Sequence, residues 1–245
     1  MVFCKKNKKK EREKLDSQSM PTIFEQPGKT HHFRQIEVSV TAFLETIKQQ
    51  KEMYKVKLPR FVIHDFGDEE ESKLIRMIFT LADIPHETKT VQRDDYMLED
   101  YPFYDLPALE IDGKLLGSIP SICRQLGWRY ELSGQTARED SFVDMVAEKI
   151  FEARMEDTCS TSTAIPVIDA LCRQLELLLR KNPSFWFVGH KMTWADLMSS
   201  CLFNPIAYHM PHILESFPNL YLHTKRISEL ERLSGFLYHL KDIKV

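Results

Sequence analysis

The stretch DLPALEIDGKLLG, residues 105–117, constrains this chain more than any other. Two apolar runs flank Asp112-Gly113, a pair suited to a two-residue turn in which both central residues take positive φ. The stretch is a β-hairpin, and the SIPSICRQLGWRY segment after it is a helix that tolerates Pro120 in its first turn. Upstream, RFVIHDF forms a short buried strand. EEESKLIRMIFTLADI forms a helix with Leu74, Ile75, Ile78, Phe79 and Leu81 on its apolar face, and HETKTV forms a second strand. The order strand–helix–strand–strand–strand–helix predicts a small α/β domain that ends near Tyr130.

After Gly134 the period-two signal disappears. TAREDSFVDMVAEKIFEARMED places Phe142, Val143, Val146, Ile150 and Phe151 on one helical side. A further helix begins at Pro166 and carries Val167, Leu171, Leu175 and Leu178. In MTWADLMSSCLF, Thr193 precedes Asp196 by three residues, a capping box with Asp for the usual Glu or Gln. LYLHTKRISELERL completes an all-α second half. With 245 residues, 43% of them hydrophobic, the chain can bury a substantial core. No apolar run is long enough to span a bilayer.

Residues 1–58 differ in composition. They carry 13 basic and 7 acidic residues, whereas the whole chain has a net charge of -3, so a basic segment precedes an acidic body. Residues 1–35 suit disorder, and Val40, Phe43, Leu44 and Ile47 predict an amphipathic helix over 39–53. The basic start lacks an apolar core and is not a secretory signal. A solvated tail is the default for it. An anionic membrane surface contacted beside Cys4, or nucleic acid, is the alternative partner. The five scattered cysteines show no CxxC pair, and no Cys/His spacing fits zinc. His31-His32 could ligate a metal, but a lone pair in a polar tail usually does nothing. Reduced thiols and a cytoplasmic location are expected.

Three motifs carry a family resemblance: LPALEIDGKLLGSIPSICRQL, FVGHKMTWADLMSS and FPNLYLHTKRI. Together they resemble the glutathione transferases, over roughly residues 60–240, and most of all the sigma-like group of prostaglandin D synthases and nematode enzymes. The resemblance implies an α/β thioredoxin-like N-terminal domain (59–132) and an all-α helical C-terminal domain (133–245). It also implies a homodimer, glutathione as substrate without a metal, and conjugation or isomerisation of hydrophobic small molecules.

Position by position, the resemblance is uneven. The place of the family's catalytic tyrosine, whose hydroxyl holds the thiolate, is occupied by Asp65. A carboxylate there accepts rather than donates, and it repels a thiolate. The serine that holds the γ-glutamyl carboxylate is replaced by Ile119, with Ser118 as a shifted hydroxyl or a simple helix cap. The tryptophan and the two lysines that hold the glycyl end fall near Asp94, Leu98 and Asp105, so two cations are lost and two acids gained. Leu106-Pro107 matches the dipeptide whose cis proline exposes backbone to the cysteinyl moiety, and Glu110 and Asp112 belong to the same motif. Glu152 falls where an aspartate reaches across the dimer to the glutathione ammonium. Tyr96, Tyr101 and Tyr104 are cleft-wall residues, any one of which could supply a replacement hydroxyl. Asp68 to Glu71 are expected to stabilise a helix N-terminus by facing solvent, Cys123 to be a buried helix residue, and Trp194 to be core. Two functions follow as expectations: a transferase with weak or lost standard activity, or a non-catalytic binding or scaffolding protein on the same fold.

Overall fold

The computed structural model describes residues 59–67, 69–95, 100–157 and 161–241. The chain divides between Lys57 and Leu58, and every described residue belongs to the second unit. The helix over 39–53, the basic tail, His31-His32, Asp68, Tyr96 and Leu98 lie outside the described residues.

Four strands form one mixed sheet in the order β2-β1-β3-β4: β1 Phe61–Asp65, β2 Glu87–Thr90, β3 Ala108–Ile111 and β4 Lys114–Leu116. β1 runs parallel to β2 and antiparallel to β3, and the hairpin pairs Leu109 with Leu116. The turn has the conformation its residues demand, with positive φ at both Asp112 (49°) and Gly113 (83°). Glycine meets no neighbour there, so its conformational freedom rather than close packing is what the turn uses.

Side-chain alternation along β1 divides the sheet's two faces. Phe61 and Ile63 pack with Leu109 against α1 (Glu69–Ala82) and α2 (Ile119–Arg129), where Leu74, Ile75, Ile78, Phe79, Ile122 and Leu126 are fully buried. Each such side chain stabilises the fold by roughly 1.5–3 kcal/mol relative to exposure. The opposite face is covered by a smaller cluster of Val91, Tyr101, Leu106 and Ala108, supplied largely by the irregular segment between β2 and β3.

Four helices make the second half: α3 Ala137–Asp157, α4 Thr161–Lys181, α5 Trp194–His209 and α6 Pro218–Ser228. The chain thus has a thioredoxin-like N-terminal domain and a helical C-terminal domain. α4 corrects one expectation, because it starts at Thr161 and holds Pro166 inside rather than at its start. As the sixth residue of α4, Pro166 forgoes its own intrahelical N–H bond.

α5 is central and almost entirely buried, Trp194 included (1% exposed). Its capping box forms as the sequence predicts. Asp196 is the acceptor for the Thr193 amide (2.7 Å) and hydroxyl (2.8 Å), the Phe187 amide (3.0 Å) and His223 Nε2 (2.8 Å). A single buried carboxylate therefore ties the loop before α5 and helix α6 to the start of α5.

Candidate functional site

Strand directions bring several predicted residues to one end of the sheet. β1 ends at Asp65. β3 runs the other way and begins just after Pro107, with His64 opposite Ala108. β4 leads through Gly117 to Ser118 at the start of α2. Asp65, Leu106-Pro107 and Ser118 therefore share that end, although they are far apart in sequence. The Leu106-Pro107 peptide bond is cis, as expected.

Asp65 is fully buried, and its partners are all internal. One carboxylate oxygen accepts from the Gly67 amide (2.9 Å), forming a tight Asx-type turn. The other accepts from the Ser72 hydroxyl (2.8 Å) and from Arg76 Nη2 (2.8 Å). Arg76 is itself largely buried and also donates to Ser72 Oγ (2.9 Å). Ser72 and Arg76 stand four residues apart on α1, so one helix face delivers both donors. The charge that the sequence alone leaves bare is cancelled by a guanidinium. Asp65 closes the strand-to-helix turn by itself, without an external ligand.

The acidic run beside it is also partly engaged. Glu70 pairs with the buried Lys73 (2.8 Å), and its backbone carbonyl accepts from Arg154 of α3 (3.1 Å), which fastens the N-terminus of α1 to the second domain. The Glu70 side chain is nonetheless 67% exposed, in keeping with the solvent-facing role expected of these acids.

Ser118 occupies the N-cap position of α2, but its hydroxyl makes no capping hydrogen bond, so the helix-cap expectation is not met. Its backbone is the reason. With φ 69° and ψ 115°, the residue lies in a region that side chains rarely adopt, and the cap geometry is lost. Outliers of this kind collect at ligand-binding turns.

On the other face of β1 lies a polar trio that sequence reasoning did not assemble. His64 is 3% exposed. Its Nδ1 lies 3.2 Å from the Tyr101 hydroxyl and its Nε2 lies 3.1 Å from Glu110 Oε2. With the ring proton on Nε2 facing the carboxylate, Nδ1 accepts from Tyr101. The trio pins the irregular segment to β1 and β3. Tyr101 is thus engaged beneath that segment. The advance signal was a histidine inside the buried strand FVIHD.

Glu152 lies on α3, more than half exposed, and is held by Lys149 Nζ (2.6 Å). It lines an apolar groove of about 320 Å³ with Ala153, Pro166, Val167 and Leu171. Among the described residues no hydrogen bond or ion pair joins it to Leu106, Pro107 or Ser118, and the role the resemblance implies for it is exercised across a dimer. Asp94 and Asp105 are exposed. Among the described residues the three cysteine thiols are buried. Cys123 is fully buried, and burial pushes its thiol well above the ordinary range. Burial likewise raises Cys201 to about 11, against the opposing pull of Arg154 and Lys73. Among the described residues no group of three His, Cys, Asp or Glu could hold a metal, and no helix is long and apolar enough to cross a membrane.

With this geometry established, comparison with known proteins decides the family. The pattern described as "Glutathione S-transferase, N-terminal domain" matches residues 69–134, and "Glutathione S-transferase, C-terminal domain" matches residues 142–239. The chain belongs to the glutathione S-transferase family. It is 26% identical over 189 residues to "Probable glutathione S-transferase 6" of Caenorhabditis elegans, covering 70% of this chain and 92% of that protein. It is 24% identical over 201 residues to the hematopoietic prostaglandin D synthase of Rattus norvegicus, covering 77% of this chain and all of that protein. The solved glutathione S-transferase of Ascaris lumbricoides superposes with a TM-score of 0.66 at 26% identity, over 72% of this chain and 95% of that one. These transferases share the fold across both domains, whereas residues 1–58 precede both matched patterns.

Proposed function

We propose that this transferase-fold chain, sigma-like in character, still receives the backbone of glutathione at the cis-proline edge but activates its thiol poorly. The observation that carries the reading is the Asp65 cluster. Where the resemblance puts a hydroxyl donor for the thiolate, the chain has an acceptor whose oxygens are taken by Gly67, Ser72 and Arg76. No proton is left there to stabilise a sulfur anion. The backbone edge at Leu106 and the strained turn at Ser118 remain, so binding is less affected than chemistry. The same observation favours a second reading, a binding or scaffolding protein that uses the fold as a homodimer. In that reading Glu152 and the α3–α4 groove face the second copy, and the basic tail seeks an anionic partner. The free thiols Cys123, Cys172 and Cys201 suit a cytoplasmic setting.

Calorimetry with glutathione, paired with turnover of a generic aryl halide, tests this. Expected are weak but measurable binding and no thiolate absorbance on adding glutathione. Turnover should fall at least about 10²-fold below a tyrosine-bearing relative, the cost typical of one lost oxyanion donor. A thiolate band together with turnover near that relative's sinks the reading.

A further inference from the structure

The irregular segment after β2 contains a cation at the same sheet end as the cis proline. Arg93 opens the short turn Arg93–Asp95, and its guanidinium carbon sits 4.5 Å from the centre of the Phe66 ring. Phe66 directly follows Asp65 and is partly buried against the Val91, Tyr101, Leu106 and Ala108 cluster, so the surface under the guanidinium is fixed. Arg93 is exposed and has no ion pair among the described residues. The ring attracts the guanidinium without using its N–H groups, which stay able to take a carboxylate bidentately.

The sheet order sets the distances. Arg93 follows β2 at one margin, Leu106-Pro107 precedes β3 near the middle, and Ser118 follows β4 at the other margin. With strands roughly 4.8 Å apart, β2 and β4 are separated by about 14 Å. An extended tripeptide backbone covers about 10 Å, and terminal carboxylates with their side-chain reach cover the remainder. A peptide paired to the Leu106 edge therefore has one end at the start of α2 and the other at Arg93. We propose that Arg93, held on Phe66, binds the glycyl carboxylate of a glutathione-like peptide thiol. It supplies a cation in place of the two lysines lost at Leu98 and Asp105. This rests on the reading that the chain still receives glutathione. The exposed acids nearby, Asp94, Asp100 and Asp105, lower the local potential and keep the affinity modest.

The test is calorimetry on the full chain with two ligands, glutathione and its glycyl monoethyl ester. The ester lacks only the carboxylate in question. Arg93→Gln is expected to weaken glutathione binding about tenfold while changing ester binding less than about twofold, since one charge-assisted pair is lost with the first ligand only. Arg93→Lys should recover part of the loss, because it keeps the charge but not the planar edge. Arg93 is exposed, so the variants' unfolding midpoints should match the parent. If Arg93→Gln leaves glutathione affinity unchanged, or weakens both ligands equally, the Arg93 assignment fails and the peptide-thiol reading stands. If the parent chain binds neither ligand, both fail.

Discussion

Replacing Asp196 with alanine is expected to remove about 4–6 kcal/mol of stability. The change strips a helix cap, worth about 0.5–2 kcal/mol, and leaves several buried donors without an acceptor, each costing about 1–3 kcal/mol. Those donors are the Thr193 amide and hydroxyl, the Phe187 amide and His223 Nε2. Domains of this size hold only about 5–15 kcal/mol in total, so the variant should be largely unfolded near body temperature. Denaturant titration followed by circular dichroism measures the shift. His223→Phe is the informative companion. Among the described residues the buried His223 Nδ1 has no hydrogen-bond partner, so the loss of one good contact is offset by the removal of an unsatisfied atom. Its cost should stay under about 2 kcal/mol. A loss below about 1 kcal/mol for Asp196→Ala would show that the helical domain does not depend on this carboxylate.

The second large effect concerns the turn between β1 and α1. Arg76→Met should cost about 3–5 kcal/mol, because it leaves the Asp65 charge buried with only neutral donors. The double variant Asp65→Leu with Arg76→Met should recover most of that loss, since an apolar pair of similar volume needs no charge compensation. The same geometry bears on activity. Asp65→Tyr introduces the family's hydroxyl but leaves Arg76 and Ser72 without their acceptor. The expected result is a less stable chain whose thiolate absorbance with glutathione is not restored. Pairing Asp65→Tyr with Arg76→Met removes the stranded cation and is the fairer attempt at rescue. If Asp65→Tyr alone gives a stable protein with strong turnover, the Asp65 cluster is not what limits catalysis.

These two sites differ in how much of them the linear sequence showed. The Asp196 box was legible because a cap is local, three residues from Thr193 to Asp196. Its tie to His223 was not, since that contact spans 27 residues. Asp65 was legible as the wrong residue for a thiolate, but not as a satisfied one. Ser72 and Arg76 stand four residues apart on α1, and only the packing of α1 on β1 turns that face toward the carboxylate.

What the sequence determined by itself was whatever depends on neighbouring residues and side-chain period. This covers the hairpin turned at Asp112-Gly113, the apolar face of α1, the cap of α5 and the division into an α/β half and a helical half, while the cis Leu106-Pro107 edge was implied by the family resemblance. Tertiary structure decided the rest. It cancelled the charge of Asp65, joined His64 to Tyr101 and Glu110 across 37 and 46 residues, kept Ser118 from capping α2, and set Arg93 on Phe66. The physical reason is common to all four. Periodicity and turn chemistry say which way a side chain points, but a polar group's partner is chosen by which elements the core brings within hydrogen-bond range.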